Sequence, residues 1–259
     1  MAENSPQTIS TMANKTLKKT AILILWVLVW QFLSMLIGEN LILPSPISTL
    51  TSLFRLAETK EFYISVLISL IRILLGFSLG VVLGFLGGTL SAKSHIFKEI
   101  TAPPLQLIRA VPVASFIILA FFWFKSTFLP VFITFLMVLP IVWSATETAL
   151  LSVDVKYIEM GKVFGLSKSK IFWKIKMPLI FPAVISAVVT SLGFAWKSGI
   201  AAEVIAKPQN SIGGLLETSK THLEISEVFA LTAVVAILSL LLEIALKKIF
   251  RRYNNDKTS

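Results

Sequence analysis

The chain has 259 residues, 55% of them hydrophobic, with a mean hydropathy of +0.83 and a formal charge of +10. That apolar content excludes an ordinary water-soluble domain and points to a polytopic membrane protein. The lack of cysteine excludes disulfides, thiolate metal sites and cysteine nucleophiles, and two histidines, His95 and His222, are read as solvated loop residues rather than metal ligands.

Along the chain, residues 1–19 read as a polar tail, disordered over 1–14. Six apolar segments follow, at about 20–38, 64–92, 104–124, 128–150, 178–202 and 228–247. Each is long enough to cross roughly 30 Å of hydrocarbon at about 1.5 Å per residue. The first follows Lys18 and Lys19, and no small-residue cleavage site comes after it, so it reads as an uncleaved anchor. Residues 20–250 therefore form one all-α transmembrane domain, and residues 251–259 form a second polar tail, disordered from 253.

Lysine and arginine set the orientation. With the amino terminus inside, the inner segments hold sixteen of them and the outer segments five. This predicts both termini in the cytoplasm. Basic residues that alternate between loops, instead of gathering on one soluble face, argue against a nucleic-acid partner. Membrane lipid is the expected surroundings.

Within the spans, Gly76, Gly80, Gly84 and Gly88 recur every four residues. They predict a small-residue stripe against which another helix packs closely. Pro103, Pro104 and Pro112 shape the start of the third span, with Pro104 read as a helix start. Pro140 interrupts the fourth, and Pro178 and Pro182 begin the fifth. Arg72, Arg109 and Glu147 sit near span ends, where long side chains reach the interface. Lys197 lies deeper, beside Gly199 and below Glu203. An intramembrane cation is a functional candidate, so Arg109, Trp196, Lys197 and Glu203 are assigned to a solute pathway.

The loop 152–177 carries six lysines and a pattern: Glu159-Met160-Gly161-Lys162-Val163-Phe164-Gly165, nine residues, then Ile175-Lys176-Met177-Pro178. Residues 154–164 suit a short helix. Gly165 permits a positive φ, and Ser167 can cap a following helix. Two short helices at an angle would make a rigid knob. Outside, Glu203 and Lys207 are spaced i, i+4, and Ser211 to Leu216 begin a short helix.

The spacing of Glu159, Gly165, Ile175 and Pro178 resembles the cytoplasmic docking loop of the membrane subunits of bacterial ABC importers, with Met160 and Gly161 in place of two alanines and Met177 in place of a leucine. Further residues are similar to the branch that imports nitrate, taurine, alkanesulfonates, bicarbonate and some vitamins. They are Leu43-Pro44-Ser45-Pro46, Ser69 to Arg72 with Gly76-Phe77, Pro104 to Pro112, and Trp196 with Ala201-Ala202-Glu203. Lys125, where that branch has Gly, and Lys197 depart from it.

The resemblance implies a permease of the bacterial cytoplasmic membrane with no catalytic residue and no metal. Its coupling loop, with Glu159, Met160, Gly161, Val163, Phe164, Gly165 and Leu166, would dock an ABC ATPase. No Gly-x-x-x-x-Gly-Lys-Ser/Thr phosphate loop is present, so ATP and Mg would be bound by that partner, in two copies. A second permease copy, in a homodimer or with a similar chain, and an extracytoplasmic binding protein or lipoprotein complete the implied assembly. The Lys197 cation would favour a small anionic or zwitterionic solute. A passive channel, or a membrane enzyme without an ATPase, is the alternative reading.

Overall fold

The computed structural model describes residues 6–255, and all the regular structure there is helical. The helices are α1 (Pro6–Ile37), α2 (Pro46–Ala57), α3 (Lys60–Lys93), α4 (His95–Ala110), α5 (Val113–Phe121) and α6 (Leu129–Leu151). After them come α7 (Val155–Val163), α8 (Lys168–Ile171), a π-helical turn (Phe172–Lys176), α9 (Met177–Ala206), α10 (Ile212–Thr221) and α11 (Ile225–Asn255).

Parts of the two expected tails, residues 1–5 and 256–259, lie outside the described residues. Residues 6–14, expected to be disordered, belong to α1, and 253–255 belong to α11. No Pro or Gly stands between Gln7 and Lys19, so nothing local stops the helix from running on beyond its apolar part.

The chain packs as two compact units. One comprises the chain up to Thr59 together with Thr218–Ala233. There the Trp30 indole N–H donates to the Pro44 carbonyl at 3.0 Å, and the Ser34 hydroxyl donates to the Leu43 carbonyl at 3.0 Å. Trp30 also stacks on Phe229, with ring centroids 5.9 Å apart. Gly38, at φ +70°, ends α1, and Ser45 caps α2 with Pro46 in its first turn.

The other unit is Lys60–Glu217 with the chain from Val234 onward. Its centre is the packing of α3, α6 and α9. Ile73, Val138, Val142, Ala195 and Trp196 form the buried core, joined by Ile212 from the start of α10. A second cluster gathers Ile117 and Ala120 of α5 with Leu129, Ile133, Ala202 and Ala206.

Among the described residues five helices are long and apolar enough to cross a membrane. The expected third span, 104–124, is not one helix. It is the pair α4 and α5, bent by 103°. α5 alone rises only about 14 Å. The break falls at Val111, which is extended at φ −85°, ψ 132°, the conformation that a following proline favours. Pro104 does not start a helix. Ser94 caps α4, and both Pro103 and Pro104 lie inside it. Pro140 is also accommodated inside an unbroken α6.

The fifth span is longer than expected. Lys168 to Ala206 forms one 39-residue helical run. The π turn, closed by the Met177 N–H on the Phe172 carbonyl, widens the helix just before Pro178, which supplies no N–H of its own.

Candidate functional site

Between α6 and α9 the chain builds a compact knob. Asp154 caps α7, its carboxylate accepting from the Lys156 N–H at 2.9 Å. At the other end Gly165 has φ +68°. Its N–H donates to the Lys162 carbonyl at 2.9 Å, and the Leu166 N–H donates to the Gly161 carbonyl at 3.0 Å. These two bonds are the Schellman pair, and they require the left-handed residue that glycine supplies without strain. Ser167 then caps α8, as expected.

Gly161 is buried where α7 meets the next helix. A Cβ there would lie 2.8 Å from Ile175 Cδ1 and 3.1 Å from Ile171 Cγ1. The missing side chain thus sets how closely the two parts of the knob approach. Glu159 and Met160 face solvent, Leu166 is half-buried, and Val163 and Phe164 are 86% and 76% exposed. The second part of the knob is not a separate helix, because α8 continues through the π turn into α9.

A second constellation is buried. Glu203, at the end of α9, is fully buried. Ser69 of α3 donates to its Oε2 at 2.6 Å, the Gly213 N–H donates to the same oxygen at 3.2 Å, and Arg72 Nη1 lies 3.5 Å from Oε1. Ser69 in turn accepts from the Ile212 N–H at 2.9 Å. Arg72 donates to the Asn210 and Gln209 carbonyls at 3.2 and 3.0 Å. The connection from α9 to α10 is thereby fastened to α3.

Lys207 and Asn210 adopt left-handed φ values of 47° and 50° within that connection. Gly213 lies flat on α9, where a Cβ would come 2.5 Å from the Val204 nitrogen. Glu203 and Lys207, though spaced i, i+4, do not pair. Lys207 instead pairs with Glu217 at 3.0 Å, and Glu203 is taken by Arg72. Neither Ser69 nor Arg72 is among the expected pathway residues.

The remaining pathway candidates separate. Trp196 is 1% exposed and donates its indole N–H to the Val235 carbonyl at 2.9 Å. Lys197, its neighbour, is exposed and stands apart from Glu203. It continues an exposed face of α9 that includes Ser186, Thr190 and Phe194. Arg109, at the end of α4, reaches α6, donating to the Pro140 carbonyl at 2.7 Å and to the Ser144 hydroxyl. Glu147 pairs with Lys98 at 2.8 Å.

The four stripe glycines all meet α6. A Cβ on Gly80 would lie 2.7 Å from Val138 Cβ, on Gly84 2.9 Å from the Leu139 carbonyl, and on Gly88 2.8 Å from Thr146 Cβ. At Gly76 the obstacles are Val131 and Thr134. Among the described residues no group of three or more His, Asp or Glu side chains could hold a metal.

Residues 76–255 match the family described as the binding-protein-dependent transport system inner membrane component. Among similar proteins is the taurine transport system permease protein of Escherichia coli strain K12, 27% identical over 232 residues, covering 86% of this chain and 83% of that one. The nitrate import permease protein of a Synechocystis strain is 27% identical over 242 residues, covering 88% and 86%. A crystal structure of an amino acid ABC transporter aligns with TM-score 0.62 at 14% identity, covering 79% of this chain and 97% of that chain. That likeness is one of fold.

Proposed function

The chain belongs to the family of binding-protein-dependent transport system inner membrane components, whose relatives are transport permeases and not enzymes, and from that premise we propose that it forms the solute pathway of an ATP-driven importer, docking an ATPase through the α7 knob. The observation that carries this reading is the knob itself. A helix closed at both ends by specific caps holds Val163 and Phe164 out of the fold. Apolar side chains displayed on a rigid base outside the spans are built for a partner. Burying each adds about 1.5–3 kcal/mol. Glu159 beside them supplies a charge for a basic partner group.

The proposed pathway runs along the exposed face of α9. Ser186, Thr190 and Lys197 lie on one exposed side of α9, whose other polar residues, Ser191, Ser198 and Glu203, are buried, and a polar face in a span belongs against water or another protein surface rather than lipid. A second copy of the chain is proposed to bring the matching face. Each copy would then present one knob to one ATPase. ATP would be bound by the ATPase, in a membrane whose cytoplasmic side carries the knob and both termini.

The solute class follows from Lys197 and from the relatives, one named for taurine and one for nitrate. We assign this chain a small anion or zwitterion, delivered by an extracytoplasmic binding protein. The test is uptake of taurine, nitrate and small sulfonates by proteoliposomes holding the permease, its ATPase and its binding protein. Lys197→Met is expected to cut uptake at least tenfold while ATPase binding persists, and Lys197→Arg to keep part of it, since a wet cavity reads charge before shape. Unchanged uptake by the Met variant removes Lys197 from the pathway.

A further inference from the structure

At the end of α3, a groove of about 910 Å³ opens between that helix, α7 and the start of the long α8–α9 run. Its rim carries four cations, Lys93, Lys162, Lys168 and Lys176, and no Asp or Glu lines it. Its floor is apolar, made by Phe85, Ile171 and Phe172. Four ammonium groups around an apolar trough, with no carboxylate among them, leave a positive charge that the chain does not neutralise locally.

The apolar side of the groove does not stop at its mouth. Leu75, Leu79, Leu83, Leu86 and Leu90 are all exposed and recur along one face of α3, and the last two are groove walls. In a helix that crosses a membrane, an exposed leucine stripe of this kind meets acyl chains. It runs straight into the lysine rim. Trp173, 62% exposed, stands at the same place, where an indole suits the boundary between hydrocarbon and headgroup. Lys93 lies over the Phe172 ring, 5.1 Å from its centroid, so one rim cation is already held in position by the floor.

We infer that this groove is a binding site for an anionic glycerophospholipid of the surrounding bilayer. Its phosphodiester sits among the four lysines and its acyl chains lie along the α3 leucine stripe. Basic pockets between spanning helices on the cytoplasmic side are suited to such headgroups. The bound lipid would bridge the end of α3 to the base of the knob, so the occupancy of one site would tie a spanning helix to the docking element. The inference rests on the cytoplasmic placement proposed above. Its readout is lipid retention, which is independent of transport and of ATPase docking.

The experiment is native mass spectrometry of the full-length permease in detergent. It is titrated with dioleoyl phosphatidylglycerol, dioleoyl phosphatidylcholine or glycerol 3-phosphate. The wild-type chain is expected to retain phosphatidylglycerol over phosphatidylcholine by at least about tenfold, each lysine contributing about fivefold at most. K93Q/K162Q/K168Q/K176Q is expected to lose that preference, and K60Q/K125Q to keep it. A companion measurement needs no charge variant. Phosphatidylglycerol with brominated acyl chains is expected to quench the fluorescence component that Trp173→Phe removes, more strongly than the brominated phosphatidylcholine. Equal retention of both lipids, equal quenching, or competition by glycerol 3-phosphate at lipid concentrations would overturn the assignment. So would complete displacement of the lipid by the ATPase subunit, which would make the groove a protein interface.

Discussion

Glu203 meets Ser69, Arg72 and Gly213, partners that come from far apart in sequence. A buried carboxylate is tolerable only where donors and a cation meet it, and here Ser69, Gly213 and Arg72 do so. Removing Arg72 leaves the buried Glu203 carboxylate without its cation, and removing Glu203 leaves Arg72 with only the Gln209 and Asn210 carbonyls. Arg72→Met and Glu203→Met are each expected to destabilise the chain by about 3–5 kcal/mol, and the double variant by less than either. Denaturation of the detergent-purified variants checks this as a double-mutant cycle, and additive losses would show the pair to be uncoupled. The sequence marks both residues as membrane charges but sets Glu203 with Lys197 in a pathway and does not connect it to Arg72. Spacing along one helix is visible in a sequence, whereas the approach of residue 72 to residue 203 depends on how α3 and α9 pack. Lys197 and Glu203 stand six positions apart, so a helix of 3.6 residues per turn points them to different faces.

At the level of elements, glycine explains the closest packing. The α3 stripe was legible because a period of four on a long apolar helix has few other meanings, and α6 is the helix it meets. Gly84→Ala places a methyl 2.9 Å from the Leu139 carbonyl and 3.2 Å from the Trp143 nitrogen. Backbone atoms cannot swing aside, so a loss of about 1–3 kcal/mol is expected. Gly193→Ala meets nothing within 4 Å and is expected to be neutral or slightly stabilising in the isolated chain. Thermal unfolding of the two variants side by side separates contact from helix propensity. The first helix of the knob and the cap that follows it were equally legible, since Gly165 and Ser167 are local signals, but the second short helix expected there runs on into α9 instead. The broken third span was not. Its apolar content is continuous across Val111 and Pro112, and hydropathy cannot tell a straight helix from one bent by 103°. Pro112 held part of the clue, because a proline disfavours the helical region for the residue before it, but Pro103, Pro104 and Pro140 carry the same signal and lie inside helices. The π turn left no sequence signal beyond Pro178 itself.

For the whole molecule, the proposed orientation and the proposed partner make linked predictions. A chain without cysteine accepts single reporters cleanly. Lys168→Cys and His222→Cys, both at exposed positions, are expected to react with a membrane-impermeant maleimide from opposite sides of sealed cells, His222→Cys from outside. Labelling of both from outside would contradict the proposed topology. The central claim, that the α7 knob docks an ATPase, is tested most directly by copurification. The permease and the ATPase expressed with it are captured through a tag on the permease, and the bound ATPase is quantified for the wild-type chain and for Val163→Asp/Phe164→Asp. Both substituted side chains already face solvent, so folding is expected to be unaffected. The account predicts a stoichiometric ATPase with the wild-type chain and at least a tenfold loss with the double variant. Full retention of the ATPase by a folded Val163→Asp/Phe164→Asp permease would contradict it.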